Sequence, residues 1–146
     1  MERMTEAEVQ TAIRLRASEL GIPLFRNNRG ACEDKTGRVI RYGLANDSAK
    51  LDKVLKSSDL IGVLPKFVRL GGSFPTTRLS EAGFGAFLSV ECKRSDWQGG
   101  WPKPIDPAKF NAREVAQQAW INLIREHGGV AGFARCVEEF EELIRC

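Results

Sequence analysis

Two stretches of the chain put acids where apolar runs begin or end. "FLSVECKRSDW", residues 87–97, is a hydrophobic run that finishes on Glu91 and Lys93. In an extended strand, side chains two residues apart project to the same side, so this carboxylate and ammonium leave one face together. "DLIGVLP", residues 59–65, is a second apolar run and opens on Asp59. If the two runs pair as strands, Asp59 and Glu91 converge. Carboxylates bordering an apolar sheet need a counter-charge, and an oxygen donor set of this kind suits Mg2+, which keeps several of its waters. A water activated there, beside Lys93, could attack a phosphodiester, with Lys93 orienting it or supporting the charge that develops. A Glu-x-Lys tripeptide by itself is common and is most often a surface ion pair at a strand end, so its surroundings decide.

The elements that must position these residues can be read from period and punctuation. "TEAEVQTAIRLRASELG" carries Val9, Ala12, Ile13, Ala17 and Leu20 on one helical face, with Thr5 and Glu8 spaced as a capping box and Gly21 as the stop. "IPLFRNN" and "RVIRYGL" are short strand candidates separated by turn formers, and "ANDSAKLDKVLKSS" is polar and turn-rich. "DLIGVLP" is a buried strand stopped by Pro65, and the segment from Lys66 to Gly85 is a loop or hairpin. "FGAFLSVECKR" is the best strand, with Ala86, Leu88, Val90 and Cys92 on one face and Phe87, Ser89, Glu91 and Lys93 on the other. After the loop "SDWQGGWPKPIDP" come a helix over "AREVAQQAWINLIREHGG", a strand in "VAGFARC" and a final amphipathic helix in "VEEFEELIRC". That order predicts one α/β or α+β domain without internal repeats.

The 146 residues set an expectation of one domain, and 42% hydrophobic with 28% charged residues is ordinary globular composition, not a disordered one. No run approaches a membrane span, and "MERMTEAEVQ" lacks a secretory apolar core, so a cytoplasmic setting is expected. Cys32, Cys92, Cys136 and Cys146 form no Cys-x-x-Cys pair and have no histidine at ligand spacing. They read as idle thiols, not as a zinc site or disulfide framework. The net charge of +3 is unevenly spread. Arg26, Arg29, Lys35, Arg38, Arg41, Lys50, Lys53 and Lys56 crowd one segment, while the tail from Glu138 is acidic. The basic half suits a polyanion.

In order along the chain, "SSDLIGVLP", "FLSVECKRSDW" and "REVAQQAWINLIREHGGVAGFARCVEEF" resemble the VRR-NUC family of the PD-(D/E)XK nuclease superfamily, above all its phage and prophage type. The resemblance extends through "EAEVQTAIRLRASELGIPLFRNNRGA" and "RYGLANDS" to nearly the whole chain. It implies a restriction-endonuclease-like core, a mixed β-sheet flanked by α-helices, in a single domain over residues 1–146. It also implies Mg2+ as cofactor, with Mn2+ as a substitute, and DNA phosphodiester hydrolysis that leaves a 5′-phosphate. By the same resemblance, Asp59 is the metal-binding acid of the "PD" motif, Glu91 the second metal ligand and Lys93 the catalytic lysine. Gln117 matches the glutamine on the helix after the Glu-x-Lys strand, and Glu8 the acid on the first helix, a further metal ligand through water. Two positions depart from the family pattern: Ser58 replaces the usual proline, and Cys92 a usual β-branched residue. Small stand-alone members often work as dimers, so a homodimer acting in DNA repair or recombination on branched or structured DNA, such as a Holliday junction or flap, is implied.

Other residues carry alternatives. The capping box accounts for Glu8 without catalysis, and Glu6 is the other first-helix acid. Arg26, Asn27, Asn28 and Arg29 are either a polar turn or a DNA contact, the arginines on phosphates and the asparagines on the loop, a sugar or a base. Trp97 and Trp101 either stack on a base, cap the core or form a dimer contact, the last shared with the segment from Lys66 to Gly85. His127, at a helix end, suits the helix dipole. The rival function is a non-catalytic nucleic-acid-binding module with a nuclease fold. Such a module has no use for two carboxylates that repel phosphate.

Overall fold

The computed structural model describes residues 2–67, 83–98 and 107–145. In chain order its elements are α1 (Glu6–Glu19), β1 (Leu24–Arg26), β2 (Gly30–Glu33), β3 (Val39–Tyr42), α2 (Ala49–Val54), β4 (Leu60–Phe67), β5 (Gly83–Cys92), a short 3-10 turn (Pro107–Lys109), α3 (Ala112–Glu126), β6 (Val130–Ala134) and α4 (Val137–Arg145). Thr5 starts α1 with the expected capping box, and Asn111 starts α3 with another, in which the Glu114 side chain reaches back to the cap. Both helices end in a glycine with positive φ, Gly21 at 70° and Gly128 at 84°. Each of these glycines donates back three residues, to Ser18 O and Arg125 O, and the next residue donates back five. Only a residue without Cβ takes this left-handed turn at no cost.

β1, β4, β5 and β6 form one mixed sheet in that spatial order, antiparallel except for the parallel β5–β6 pair. β2 and β3 make a separate hairpin. Strand alternation divides β5 between two helical layers. Leu88, Val90 and Cys92 join Val9, Ile13 and Ala17 of α1, Leu60 and Phe140 of α4 in the main core. Ser89 and Glu91 face α3 instead, where Trp120 Nε1 donates to Ser89 Oγ at 2.8 Å. A smaller apolar cluster on that side gathers Trp97, Phe110, Ile121, Ile124, Ala131 and Phe133. The molecule is a mixed α/β fold, a mixed sheet flanked by helices. Among the described residues no helix is long and apolar enough to cross a membrane.

Two expectations change. Pro65 does not stop its strand: β4 continues to Phe67, paired with Gly83 of β5. β1 covers only Leu60 to Gly62, so among the described residues nothing pairs with the other edge at Pro65, the setting in which a missing N–H is tolerated. The polar stretch before Asp59 contains α2, started by Ser48 Oγ, which accepts from Leu51 N–H at 3.1 Å. None of its residues is fully buried, so it shows no apolar stripe to be read. Residues 68–82, between β4 and β5, lie outside the described residues, as does Trp101.

Candidate active site

The β4–β5 register pairs Leu60 with Val90, so one step further Asp59 comes beside Glu91. Asp59 Oδ2 accepts the Cys92 N–H at 3.0 Å, which ties the acid to the end of β5. From the other side Asn27 holds the loop before β4. Its N–H donates to Asp59 O at 2.7 Å, and its Nδ2 donates to Ser57 Oγ at 2.8 Å and Ser58 O at 2.9 Å. Its Oδ1 accepts from Leu44 N–H at 3.3 Å. Asn27 is therefore a structural latch for Asp59.

Glu91, Lys93 and Gln117 are 2%, 6% and 3% exposed, which makes their mutual satisfaction decisive. The Gln117 amide Nε2 donates to Glu91 Oε1, and Gln117 Oε1 accepts from Lys93 Nζ at 2.7 Å. Lys93 Nζ lies 3.5 Å from the same Glu91 oxygen. Two aromatic rings complete the lysine's surroundings, Trp97 with its centroid at 5.5 Å and Phe133 at 5.6 Å. Trp97 is itself fixed: its Nε1 donates to Glu114 Oε1 at 2.9 Å, and its carbonyl accepts from Arg135 Nη1 at 3.0 Å. Trp97 thus joins the smaller apolar cluster and is engaged inside the fold.

Burial, and then the negative charge of Asp59, push the Glu91 carboxyl up to about 8; Lys93 and Arg113 oppose the rise. Burial also raises Asp59, with the Cys92 N–H opposing and the charge of Glu6 adding to the rise. Glu6 is thus the first-helix acid whose field reaches the site. Glu8 is not brought there: its Oε2 accepts both the Thr5 N–H at 2.7 Å and the Thr5 hydroxyl at 2.8 Å. Helix geometry explains the difference, since residues two apart on α1 point to nearly opposite sides while Glu6 and Gln10 share one. Gln10 lines the site cleft. Among the described residues no three His, Cys, Asp or Glu side chains gather as a metal cage.

The carboxylates open into a cleft of about 710 Å³ that is also lined by Arg26, Asn28, Arg29, Arg41, Lys56 and Arg113. Of the predicted polar turn, Arg26 and Asn28 are exposed on this cleft, whereas Arg29 is half-buried and bound to Asp52 at 3.0 Å. Arg113 went unread in the sequence, although it lies four residues before Gln117 and so shares its helical face. Arg41 and Lys56 were legible only as members of the basic segment, with nothing local to single them out from Lys35, Arg38, Lys50 or Lys53. His127 Nδ1 sits 2.8 Å from Leu123 O at the end of α3, away from the cleft. Cys92 is a buried thiol, pushed well above its ordinary range by burial, and no disulfide joins described residues. Comparison with family models, with curated proteins and with solved structures returned no match.

Proposed function

We propose that the chain is a Mg2+-dependent endodeoxyribonuclease with a restriction-endonuclease-like core of the VRR-NUC type, which hydrolyses phosphodiester bonds in branched or structured DNA. One observation carries the reading: Asp59, Glu91 and Gln117, from three separate stretches of chain, line a cleft walled by arginines and a lysine, and Lys93 is bonded to Gln117 directly behind them. The donor chemistry fits the cation. Asp59 and Glu91 each keep one oxygen, Oδ1 and Oε2, outside the hydrogen bonds found among the described residues. Glu91 would exchange its proton for a hard divalent ion, and both carboxylates would enter that ion's oxygen shell. Bound to these two carboxylates, Mg2+ would lower the pKa of a water and offset charge on the phosphate.

The chain's own residues do the rest. Gln117 holds Lys93 and Glu91 in one arrangement, so the ammonium meets the incoming phosphate without searching rotamers. Lys93 orients the attacking water or supports the charge that grows on the phosphoryl oxygens. Arg113 and Arg26 draw the DNA backbone toward carboxylates that would otherwise repel it. Linear, flap, replication-fork and four-way DNA, each incubated with Mg2+, Mn2+ or EDTA, test the reading. Cleavage that needs the cation and favours a branched substrate is expected, with 5′-phosphate ends. Binding of all four substrates without cleavage under either metal would instead establish a non-catalytic binding module.

A further inference from the structure

The cleft has a second, cationic end that the carboxylates do not use. Arg29, Arg41 and Lys56 come from the turn after β1, from β3 and from the segment after α2, and they gather around a single acid, Asp52. Arg29 Nη2 lies 3.0 Å from Asp52 Oδ1, and Lys56 Nζ lies 2.8 Å from Oδ2. The Lys56 hydrogen bond, with the charges of Lys56, Arg29 and Arg41, holds Asp52 below the usual carboxylate range. Three cations against one carboxylate leave an excess of positive charge facing the cleft.

This end is built from behind. Asn46, 3% exposed, donates to Gly30 O at 2.8 Å and Tyr42 O at 2.9 Å, and its Oδ1 accepts from Arg41 Nη1 at 3.2 Å. Arg29 Nη2 also donates to Ala45 O at 3.2 Å. An ion-pair network that served only to join α2 to the hairpin would satisfy its donors. Arg29 Nε, however, is buried and makes no hydrogen bond among the described residues.

We propose that Arg29, Arg41 and Lys56 form a phosphate subsite for a nucleic-acid backbone whose neighbouring phosphodiester lies at Asp59 and Glu91, with Asp52 as the internal counter-ion that the phosphate displaces. The inference rests on the nuclease reading for the identity of the polyanion, and its test does not depend on cleavage. A fluorescein-labelled DNA oligonucleotide is titrated by anisotropy in EDTA across a salt series. Asp52→Asn should tighten binding roughly two- to fivefold and steepen the slope of log affinity against log salt by about 0.9. Arg41→Gln and Lys56→Gln should each weaken binding on every DNA sequence alike and flatten that slope by about 0.9. Arg14→Gln, exposed on α1 outside the cleft, is the control for net charge, and thermal melts show that each variant is folded. The subsite is overturned if Asp52→Asn leaves affinity unchanged, or if Arg41→Gln and Lys56→Gln behave like Arg14→Gln. It is equally overturned if inorganic phosphate binds the wild type while DNA affinity ignores all three substitutions. Variants that respond as stated while Mg2+ elicits no cleavage would uphold the subsite and refute the nuclease.

Discussion

Lys93 and Glu91 are buried together, and Gln117 is the amide through which both keep a hydrogen bond. Removing either carboxylate should separate chemistry from binding. On the proposed nuclease reading, Asp59→Ala and Glu91→Ala are expected to lose at least about 10³-fold in cleavage rate while DNA affinity holds or rises, because each removes a proposed metal ligand and neither removes a cation that faces phosphate. Single-turnover cleavage beside anisotropy reads both; near wild-type cleavage by either variant would end the assignment. Titration of Glu91 gives a second expectation. In EDTA the folded carboxyl keeps its proton to about pH 8, whereas an unfolded glutamate releases it near 4.5. Between those values the folded chain binds the extra proton, so stability falls as pH rises through the window. Asp59, raised in the same direction, adds to the slope. Melting temperatures in EDTA should drop by several degrees from pH 5 to 8.5 in the wild type and by clearly less in Glu91→Gln.

Elements act on the site through their ends. The residue just before β4 is Asp59, and Asn27 pins the strand's start to the end of β1 with three donor contacts, while its Oδ1 accepts from Leu44 N–H after β3. Asn27→Ala should cost about 2 kcal/mol in urea unfolding, the loss of several partly buried hydrogen bonds. Cleavage should fall further than stability accounts for as Asp59 drifts. An unchanged unfolding midpoint would deny the latch. The turn after β5 acts on Lys93 in the same way, since it brings Trp97 over the ammonium. Trp97→Leu is expected to lower kcat about tenfold with little change in KM for DNA, and Trp97→Phe to restore most of it, because a ring and not the indole N–H faces the charge. An equal loss in both variants would assign Trp97 to packing alone.

For the whole molecule the open matter is assembly. One chain presents one pair of site carboxylates, and symmetric cutting of a junction needs two nicks, which a two-fold dimer supplies. Trp97 is engaged within the fold, which shifts attention to the sheet face beside α3. There Phe25, Val63 and Phe87 are exposed and project to one side in the strand register. Light scattering at micromolar concentration should report about twice the 16.2 kDa chain mass. A monomer that nicks both strands in one encounter would exclude the dimer.

What the sequence by itself determined is what chain geometry determines locally. Alternation from Ala86 to Lys93 marks the main part of β5 and puts Glu91 on the face opposite Val90 and Cys92, while its start at Gly83 falls in what reads as loop or hairpin. Helical period and caps mark α1 and α3, and Glu91 and Lys93 are neighbours in any extended chain. Long-range packing decided the rest. The β4–β5 register brings Asp59 to Glu91, and the face α3 turns to the sheet selects Gln117 while Gln118 bonds along its own helix to Asn122. The side of α1 that packs inward puts Gln10 on the cleft and leaves Glu8 to its cap. Asp52, Arg41 and Lys56 meet only after hairpin, helix and sheet have docked. Local backbone geometry sets the direction of each side chain within its element, but which elements become neighbours is set by the burial of their apolar faces, and that is a property of the whole fold.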